Sequence, residues 1–594
     1  MINLQTLLKI EEPKILLIGE HRGIIQSILD FDYLAGKSQP SVVAIIAGRG
    51  RSSRYFFGDR QMLIPICKAI DSLDEEATSS IDLFAVAQSG RRALASSEDA
   101  IRQLTNVQGG MIFAESVPEQ HALRLRKIAE GAGRFIVGPA SVGMVVGGKF
   151  KLGAIGGTQA EQIAAAGITH KGSTAVISTS GGMINELISL VAKHGSSISF
   201  AGAVGGERFP IVKPVELFEQ ALKDKATKTI VFFGEVGGRD EYEIAKLLKT
   251  SKTKKPLIAY IAGIVAEKFD SAPQFGHAKA LAQNQSETAT AKKAVLREAG
   301  AIVADSFMDL EEQVNKHSKK DHLTDDEVLG RLAQLAHRSD AMFHSSVSTD
   351  RGGEIQILGE PLLGYVQNRG LSEIALGMFL GHKPTSRKTI EFFDLALRLL
   401  VDHGPQVSGA VNTMITARAG KDLPAALATG LLTIGPRFGG AINKAGENWF
   451  EAVLHGEEPA SYVERFSVKG EYIAGIGHKK YRVDNPDPRV NLLLEKFAKD
   501  SGAHLAFARE VEKITTSKKG QLILNVDGAI AALLLDILTT EENYTPEDIR
   551  QLFQTEFCNA IFIFARSVGL IAHFMEQKRL DESLFRLPDD QISA

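Results

Sequence analysis

Residues 174–195 read TAVISTSGGMINELISLVAKHG, and their order decides the fold. TAVIST is a short, β-branched apolar run of the kind that forms a buried strand. It ends near Ser178, a Thr-Ser-Gly-Gly turn follows, and apolar residues then recur at the spacing of an amphipathic helix. A strand feeding a helix through so tight a turn is half of a βαβ unit. The turn also leaves free backbone N–H groups at the positive end of a helix dipole, which suits a phosphate. Ser180, Gly181 and Gly182 form that cradle, unless Ser180 is only an ordinary N-cap.

The same alternation extends outward in both directions. ILLIG (15–19), SVVAIIAG (41–48), DLFAVAQ (82–88), GGMIFAE (109–115) and RFIVGP (134–139) precede it. ISFAGAVGG (198–206), TIVFFGE (229–235), PLIAYIAG (256–263) and AIVADSF (301–307) follow it. Continuous apolar runs separated by helices indicate parallel sheets buried on both faces. The Gly-rich patch ASVGMVVGGKFKLGAIGG (140–157) interrupts the pattern, so two consecutive α/β domains are expected. Near residue 318 the texture changes. SKKDHLTDDE is charged and coreless, as a linker is, and beyond it long helical patterns such as TIEFFDLALRLLVDH dominate. A mostly α-helical domain is expected there.

With 594 residues the chain is too long for one core, and a net charge of −3 comes from 68 basic and 71 acidic residues intermixed along it. No basic stripe argues for nucleic acid. Cys67 and Cys558 are the only cysteines and lie far apart, so neither a disulfide framework nor a cysteine metal cluster is expected, and no metal site is assigned. The N-terminus lacks the apolar core of a secretory signal, and runs such as GAIAALLLDIL fall short of a membrane span. A cytoplasmic, enzyme-like protein without a membrane partner is expected.

Three features of the second α/β domain belong together. Besides the Ser-Gly-Gly turn, FFGEVGGRDEYEIAKLL (232–248) puts Glu235 at the carboxyl end of a strand, the edge where open α/β sheets bind ligands. DSAPQFGHAKAL (270–281) offers His277 at the start of a helix-like run. A histidine beside a helix is more often packed than reactive, and a glutamate there can be structural. Together, however, they supply a nucleophilic imidazole, a carboxylate to hold its tautomer and a helix N-terminus to receive a phosphoryl group. With QFGHAKALAQNQSETATAKKAVLREAG (274–300) and LDFDY (29–33), this part resembles the α subunit of succinyl-CoA synthetases and the corresponding part of the ATP-citrate lyase family. The resemblance implies that His277 is transiently phosphorylated and that Glu235 orients it. It also implies a Rossmann-like CoA-binding domain over residues 1–140 and a flavodoxin-like phosphohistidine ligase domain over 141–317. LLIGEHRGIIQSILDF (16–31) has Gly19 and Gly23 but no dinucleotide fingerprint, so CoA binding there rests on the resemblance, on VGPASVG (137–143) and on domain order.

The helical part carries VDHGPQVSGAVNT (401–413), GIGHKKYRVDNPDPR (475–489), ILNVDGAI (523–530) and FARSVGLIAHFMEQ (564–577). Histidines, an aspartate and arginines in breaker-rich turns suit a polycarboxylate, since arginines fork onto carboxylates and His and Asp move protons. As an ordered set these motifs resemble citrate synthase, and more closely the citrate-synthase-like domain of ATP-citrate lyases. By that resemblance Asp527 exchanges a proton with the acetyl methyl carbon, and His478 handles the proton of the citrate hydroxyl. His403 holds a substrate carboxylate or hydroxyl, and Arg489 and Arg566 bind carboxylates. Arg586, twenty positions after Arg566, matches the arginine that a dimer donates across its interface. GPRFGGA (435–441) departs from citrate synthases by placing Phe438 where they carry an enolate-stabilising histidine, as ATP-citrate lyases do. Lys479 stands where relatives often have arginine, and Lys518 and Lys519 are candidates for CoA phosphates beside the alternative of a solvated basic loop.

The whole chain resembles the α-type subunit of the two-subunit form of that family, with a linker at 318–330 and a citryl-CoA lyase domain over 331–594. The resemblance implies CoA and citrate as ligands and an ATP-grasp β-type partner subunit binding most of the ATP and Mg²⁺. It further implies homo-oligomers through the citrate-synthase-like domain, as a tetramer giving a hetero-octamer. Two other readings stay open: a ligase for another acid or a citrate-forming assembly, and a non-catalytic scaffold subunit.

Overall fold

The computed structural model describes residues 4–48, 52–73, 75–252, 255–269, 273–274, 277, 280–321, 325–350, 353–435, 441–500 and 502–593. Its chain divides into two compact units, residues 1–342 and 343–594.

The first unit holds two seven-stranded sheets. In the first, strand Ile15–Ile18 lies between Val42–Ile46 and Leu83–Val86, all parallel, with Gly109–Ile112 and Phe135–Val137 beyond. The other edge is a hairpin, Ser52–Phe57 with Arg60–Cys67, that the sequence pattern did not reveal. The chain leaves Ile15–Ile18 toward one side of the sheet and later returns on the other, so a topological switch point falls at its carboxyl end, where Gly19 sits. In the second sheet Thr174–Ser178 lies between Ile198–Ala203 and Thr229–Glu235, followed by Leu257–Ala262 and Ile302–Ala304, all parallel. This is flavodoxin-like order, with its switch point between the ends of Thr174–Ser178 and Thr229–Glu235. The Gly-rich patch becomes an antiparallel hairpin, Gly143–Val146 with Phe150–Gly153, on the edge of this second sheet.

The LDFDY run packs helix Arg22–Leu34 onto that hairpin. Asp32 is buried and accepts from Lys37 Nζ at 2.7 Å and from the Ser41 amide at 2.8 Å. Tyr33 fills the space that a side chain on Gly58 would need, 2.5 Å from the nearest ring atom. Buried carboxylates with several donors each fix one packing arrangement, which explains why so polar a motif sits in a core.

The stretch at 318–330 is not a clean boundary. Asp325 caps helix Asp326–Leu335, whose Val328 and Leu335 are buried against Phe31, Leu34 and Ile163 in the core of the first unit. Apolar contact rather than local charge sets the division, which falls after residue 342. In the second unit, Val526–Glu541 is a nearly wholly buried central helix against Arg387–Leu400, Ala441–Leu454, Pro488–Phe497 and Ala503–Lys518, and the first two of these pack in turn on Phe557–Leu580. The last of these, 24 residues long, is by length and composition apolar enough to cross a membrane, contrary to the expectation from the sequence. Its Ile561, Phe562, Ala565 and Leu570 are buried in the core of the helical unit.

Candidate active site

The switch point of the second sheet brings the first group of residues together. Glu235 ends its strand, and its carboxylate meets Nδ1 of His277 at 2.9 Å and 3.1 Å. Glu235 is 13% exposed and His277 35%, so the carboxylate is shielded while the ring faces outward. The hydrogen bond to Glu235 raises the imidazole above its ordinary pKa against the opposing effect of burial, and the charges of Glu115 and Glu207 add to it. A proton held on Nδ1 leaves the lone pair on Nε2, the nitrogen that an electrophile reaches.

Among the described residues no helix starts at His277, contrary to the expectation. Ala280 N donates to His277 O, and a 3₁₀ turn at Gln285–Glu287 precedes helix Ala289–Glu298. The polar run Asn284 to Thr288 prevents an earlier start. Asn284 Oδ1 accepts from Ser286 N, Glu287 from Gln283 N, and Thr288 Oγ1 caps the helix through Ala291 N. Glu287 O then accepts from Gly237 N, which draws this loop to the strand end that carries Glu235.

Three residues that sequence reasoning missed complete this centre. Gly206 lies under the imidazole, where a Cβ would come within 2.4 Å of His277 Cδ2. Lys292, 1% exposed, pairs with buried Glu241 at 2.7 Å and donates to the backbone carbonyls of Glu235 and Gly237. Thr179 is buried in the Ser-Gly-Gly turn, and its Oγ1 has no hydrogen-bond partner among the described residues. In the turn itself Ser180 caps helix Gly181–Lys193, and Gly182 has open space where a side chain would stand. The only hint of Gly206 in the sequence is a Gly-Gly-Glu after a strand; Lys292 sits in a helical pattern like any surface lysine.

In the first sheet, Gly19 has φ +99° and a Cβ there would strike Ala87 O at 2.5 Å, so the turn after the strand needs glycine. Gly23 lies in the first turn of the helix that His21 caps by accepting from Ile24 N.

The helical unit gathers His403, His478, Arg489, Asp527 and Arg566 around a cavity of about 160 Å³, with Asn525 beside them. Glycines permit the convergence. A Cβ on Gly475 would come within 2.7 Å of Gly528 Cα, so the His478 loop can lie directly on the start of the Asp527 helix. Asn525 caps that helix through Gly528 N and donates to Gly477 O at 3.0 Å. Asp487, fully buried, takes the Arg489 fork at 3.0 and 2.7 Å, and Arg489 Nη1 donates to His403 Nδ1 at 3.3 Å. Arg566 is buried against Phe562 and donates from Nε to Leu400 O. Sequence reasoning missed His573, which meets Asp402 Oδ1 at 3.2 Å while the other oxygen accepts from Gly404 N, bracketing His403.

His478 is held otherwise than expected. Its Nδ1 accepts from the Lys480 and Tyr481 amides, both at 3.0 Å, so the ring proton sits on Nε2. Burial holds both His403 and His478 below the ordinary histidine pKa, so each is neutral, and each has Nδ1 occupied as an acceptor. The free nitrogen of His478 is therefore a donor to an oxygen, not an acceptor of the hydroxyl proton. Burial pushes the Asp527 carboxyl up to about 6, against the pull of Arg489 and Arg566.

Arg586 is not brought to this cavity. It is exposed beyond the end of helix Phe557–Leu580, in a tail that Arg418 holds through Ser583 O and the Phe585 ring. Lys479 is exposed on its loop and Lys518 and Lys519 at the end of helix Ala503–Lys518, the two segments being joined where His478 N donates to Gln521 O. Phe438 lies outside the described residues.

Residues 177–302 match the family model described as CoA-ligase, and residues 276–587 match that of the citrate synthase C-terminal domain. The class is therefore a CoA-ligase domain joined in one chain to a citrate-synthase-type domain. The ATP-citrate synthase beta chain protein 2 of Arabidopsis thaliana is 37% identical over 589 residues, covering 96% of both chains. The probable ATP-citrate synthase of Caenorhabditis elegans is 36% identical over 98% of this chain, which spans only 54% of that relative. The solved ATP citrate lyase of Methanothrix soehngenii, in complex with citrate and coenzyme A, is 33% identical with a TM-score of 0.50, covering 99% of this chain and 98% of that one. The chain belongs to the ATP-citrate synthase (ATP-citrate lyase) family. The α-type designation taken from succinyl-CoA synthetase corresponds to what plants name the beta chain.

Proposed function

We propose that this chain carries the phosphohistidine and lyase steps of an ATP-citrate lyase: ATP, citrate and CoA become ADP, phosphate, acetyl-CoA and oxaloacetate. The carrying observation is the His277–Glu235 pair, which leaves Nε2 as an open nucleophile at a sheet switch point. Nε2 attacks the γ-phosphorus of ATP held with Mg²⁺ by an ATP-grasp partner subunit, and ADP leaves. A citrate carboxylate then takes the phosphoryl group from His277. The thiolate of CoA, bound along the Gly19 and Gly23 edge, displaces phosphate to give citryl-CoA. The turn of Ser180, Gly181 and Gly182, with Thr179, receives the phosphoryl oxygens.

Citryl-CoA passes to the helical unit, with Lys479, Lys518 and Lys519 available to its phosphates. Arg489 and Arg566 hold substrate carboxylates there. His403 and His478 donate to its oxygens, His478 to the oxygen that becomes the oxaloacetate carbonyl. The hydroxyl proton leaves to water as the carbon–carbon bond breaks toward the thioester, and Asp527 protonates the resulting enolate carbon.

The names of the relatives favour citrate over another acid, and one chain with both centres is more than a scaffold needs. Exposed apolar side chains on the helical unit, Leu432 at 82% and Val568 at 58% among them, suit self-association that would bring a partner's arginine 586 to each cavity. A tetramer within a hetero-octamer, located in the cytoplasm, completes the reading. The test is labelling by γ-labelled ATP in the presence of the partner subunit. Acid-labile, base-stable label that disappears in His277→Asn supports the reading, and unchanged labelling in that variant refutes it.

A further inference from the structure

One segment, residues 205–211, touches both sheets of the first unit. It leaves strand Ile198–Ala203 with Gly205, whose Cβ position is 1.9 Å from Pro139 O, and Gly206 lies against the His277 ring. Next, Glu207 Oε1 accepts from the backbone amide of Ser116 at 2.9 Å. Ile211 is buried in the core of the first sheet, with Phe209 packed beside it, and its amide donates to Gly138 O. Ser116 belongs to the loop that follows strand Gly109–Ile112, on the same carboxyl edge as Gly19. That loop holds a left-handed residue, Ser116 at φ 57°, a conformation that non-glycine residues keep only when neighbours fix it. At its start Phe113 meets the ring of His21, edge to face at 5.4 Å, and His21 caps the helix that opens with Arg22 and Gly23. A contiguous chain of contacts thus runs from the Gly19–Gly23 turn through Phe113, Ser116 and Glu207 to the glycine under His277.

We propose that Glu207 is a positioning residue for the CoA step: it clamps the 113–118 loop to the segment beneath His277 and so sets the thiol end of CoA against the phosphorylated site. This rests on the reading of His277 as phosphoryl carrier and of the Gly19 edge as the CoA site. Glu207 touches no reacting atom in this scheme. Its carboxylate satisfies one amide in a strained loop; among the described residues Ala114 O of that loop also accepts from Ala140 N, and the long Arg208–Glu119 ion pair, 3.8 Å and half-exposed, lies just past its end. Loss of the clamp lets the loop drift, and a displacement of the reacting groups by an ångström costs about tenfold to hundredfold in rate.

The test uses the full chain with its ATP-grasp partner and compares wild type, Glu207→Ala and Glu207→Gln. The amide oxygen of glutamine still accepts from Ser116 N. Measured on the alkaline plateau, where the Glu207 charge no longer affects the protonation of the ring, labelling of His277 by γ-labelled ATP should be close to wild type in both variants. The CoA-dependent discharge of citrate-loaded, labelled enzyme should slow by about tenfold to hundredfold in Glu207→Ala, with a raised KM for CoA, and recover in Glu207→Gln. Amide hydrogen exchange at Ser116 should accelerate only in the alanine variant. Normal CoA kinetics in Glu207→Ala overturn the proposal, as does equal slowing of labelling and discharge, which would place Glu207 at His277 itself. A wild-type chain that takes no label defeats the phosphohistidine reading and this proposal with it, and is told apart from the other failures by that absence.

Discussion

Gly206 and His277 fit together in one way: a Cβ on the glycine would stand 2.4 Å from Cδ2 of the imidazole and 2.9 Å from Nε2. The backbone of Gly206 does not lie at positive φ, so alanine is conformationally acceptable there and only space is lost. Gly206→Ala should therefore fold, keep its thermal midpoint within a few degrees, and displace the ring. Labelling by ATP should fall by about 100-fold. A fully labelled Gly206→Ala chain would mean that the ring reacts from another position.

The carboxylate of Glu235 has a pH signature. It raises the pKa of His277 above the ordinary value of 6.5, and the protonated ring cannot attack phosphorus. Labelling of wild type should therefore rise as pH climbs through a value above 6.5. In Glu235→Gln the main stabiliser of the imidazolium is gone, so the acid limb should move to lower pH while the plateau falls, because ring orientation and basicity are both weaker. An acid limb that stays in place after Glu235→Gln would deny the pairing.

Asp527 should govern the other centre. To protonate an enolate carbon it must enter the reaction as the acid, and its carboxyl is pushed up to about 6. In the kcat/KM profile for supplied citryl-CoA, activity should be high below about 6 and decline as pH rises through it, since that ratio reports the free enzyme. Burial holds His403 and His478 below the ordinary histidine range, so any limb they add falls on the acid side. Asp527→Ala should abolish cleavage of citryl-CoA and leave ATP labelling intact.

The Lys292–Glu241 pair separates stability from activity. Both side chains are almost fully buried, 1% and 3% exposed, so Lys292→Met leaves a carboxylate without its counter-charge. Urea titration should register a loss of about 3–5 kcal/mol for the first unit. Adding Glu241→Leu should recover much of that loss. The double variant should nonetheless label poorly, because the carbonyls of Glu235 and Gly237 lose their shared donor.

How much of this was legible depended on burial. Runs such as ILLIG and TIVFFGE are buried on both faces, so their sequence carries the strand signal alone, and their observed strands are Ile15–Ile18 and Thr229–Glu235. The hairpin Ser52–Phe57 with Arg60–Cys67 lies at a sheet edge and mixes arginine and glutamine with apolar residues, which hides it. Its signal was the Gly58-Asp59 turn between two aromatic or aliphatic runs. The helix expected from His277 onward failed because its alanines and leucine outweighed the Asn-Gln-Ser-Glu-Thr run, whose side chains bond their own backbone. At the sites, charged and titratable residues were visible as motifs, whereas their supports were not. Gly206, Thr179 and His573 act through space left open or through neighbours far along the chain, and no local pattern announces that.

The central claim is that phosphate on His277 drives cleavage in the same chain, and a single-turnover chase tests it. The chain is labelled with γ-labelled ATP and partner subunit, freed of nucleotide, and mixed with citrate and CoA. The account predicts that each label released is matched by one oxaloacetate and one acetyl-CoA, and that citrate or CoA alone yields neither product. Oxaloacetate formed while the label stays on His277 would contradict it.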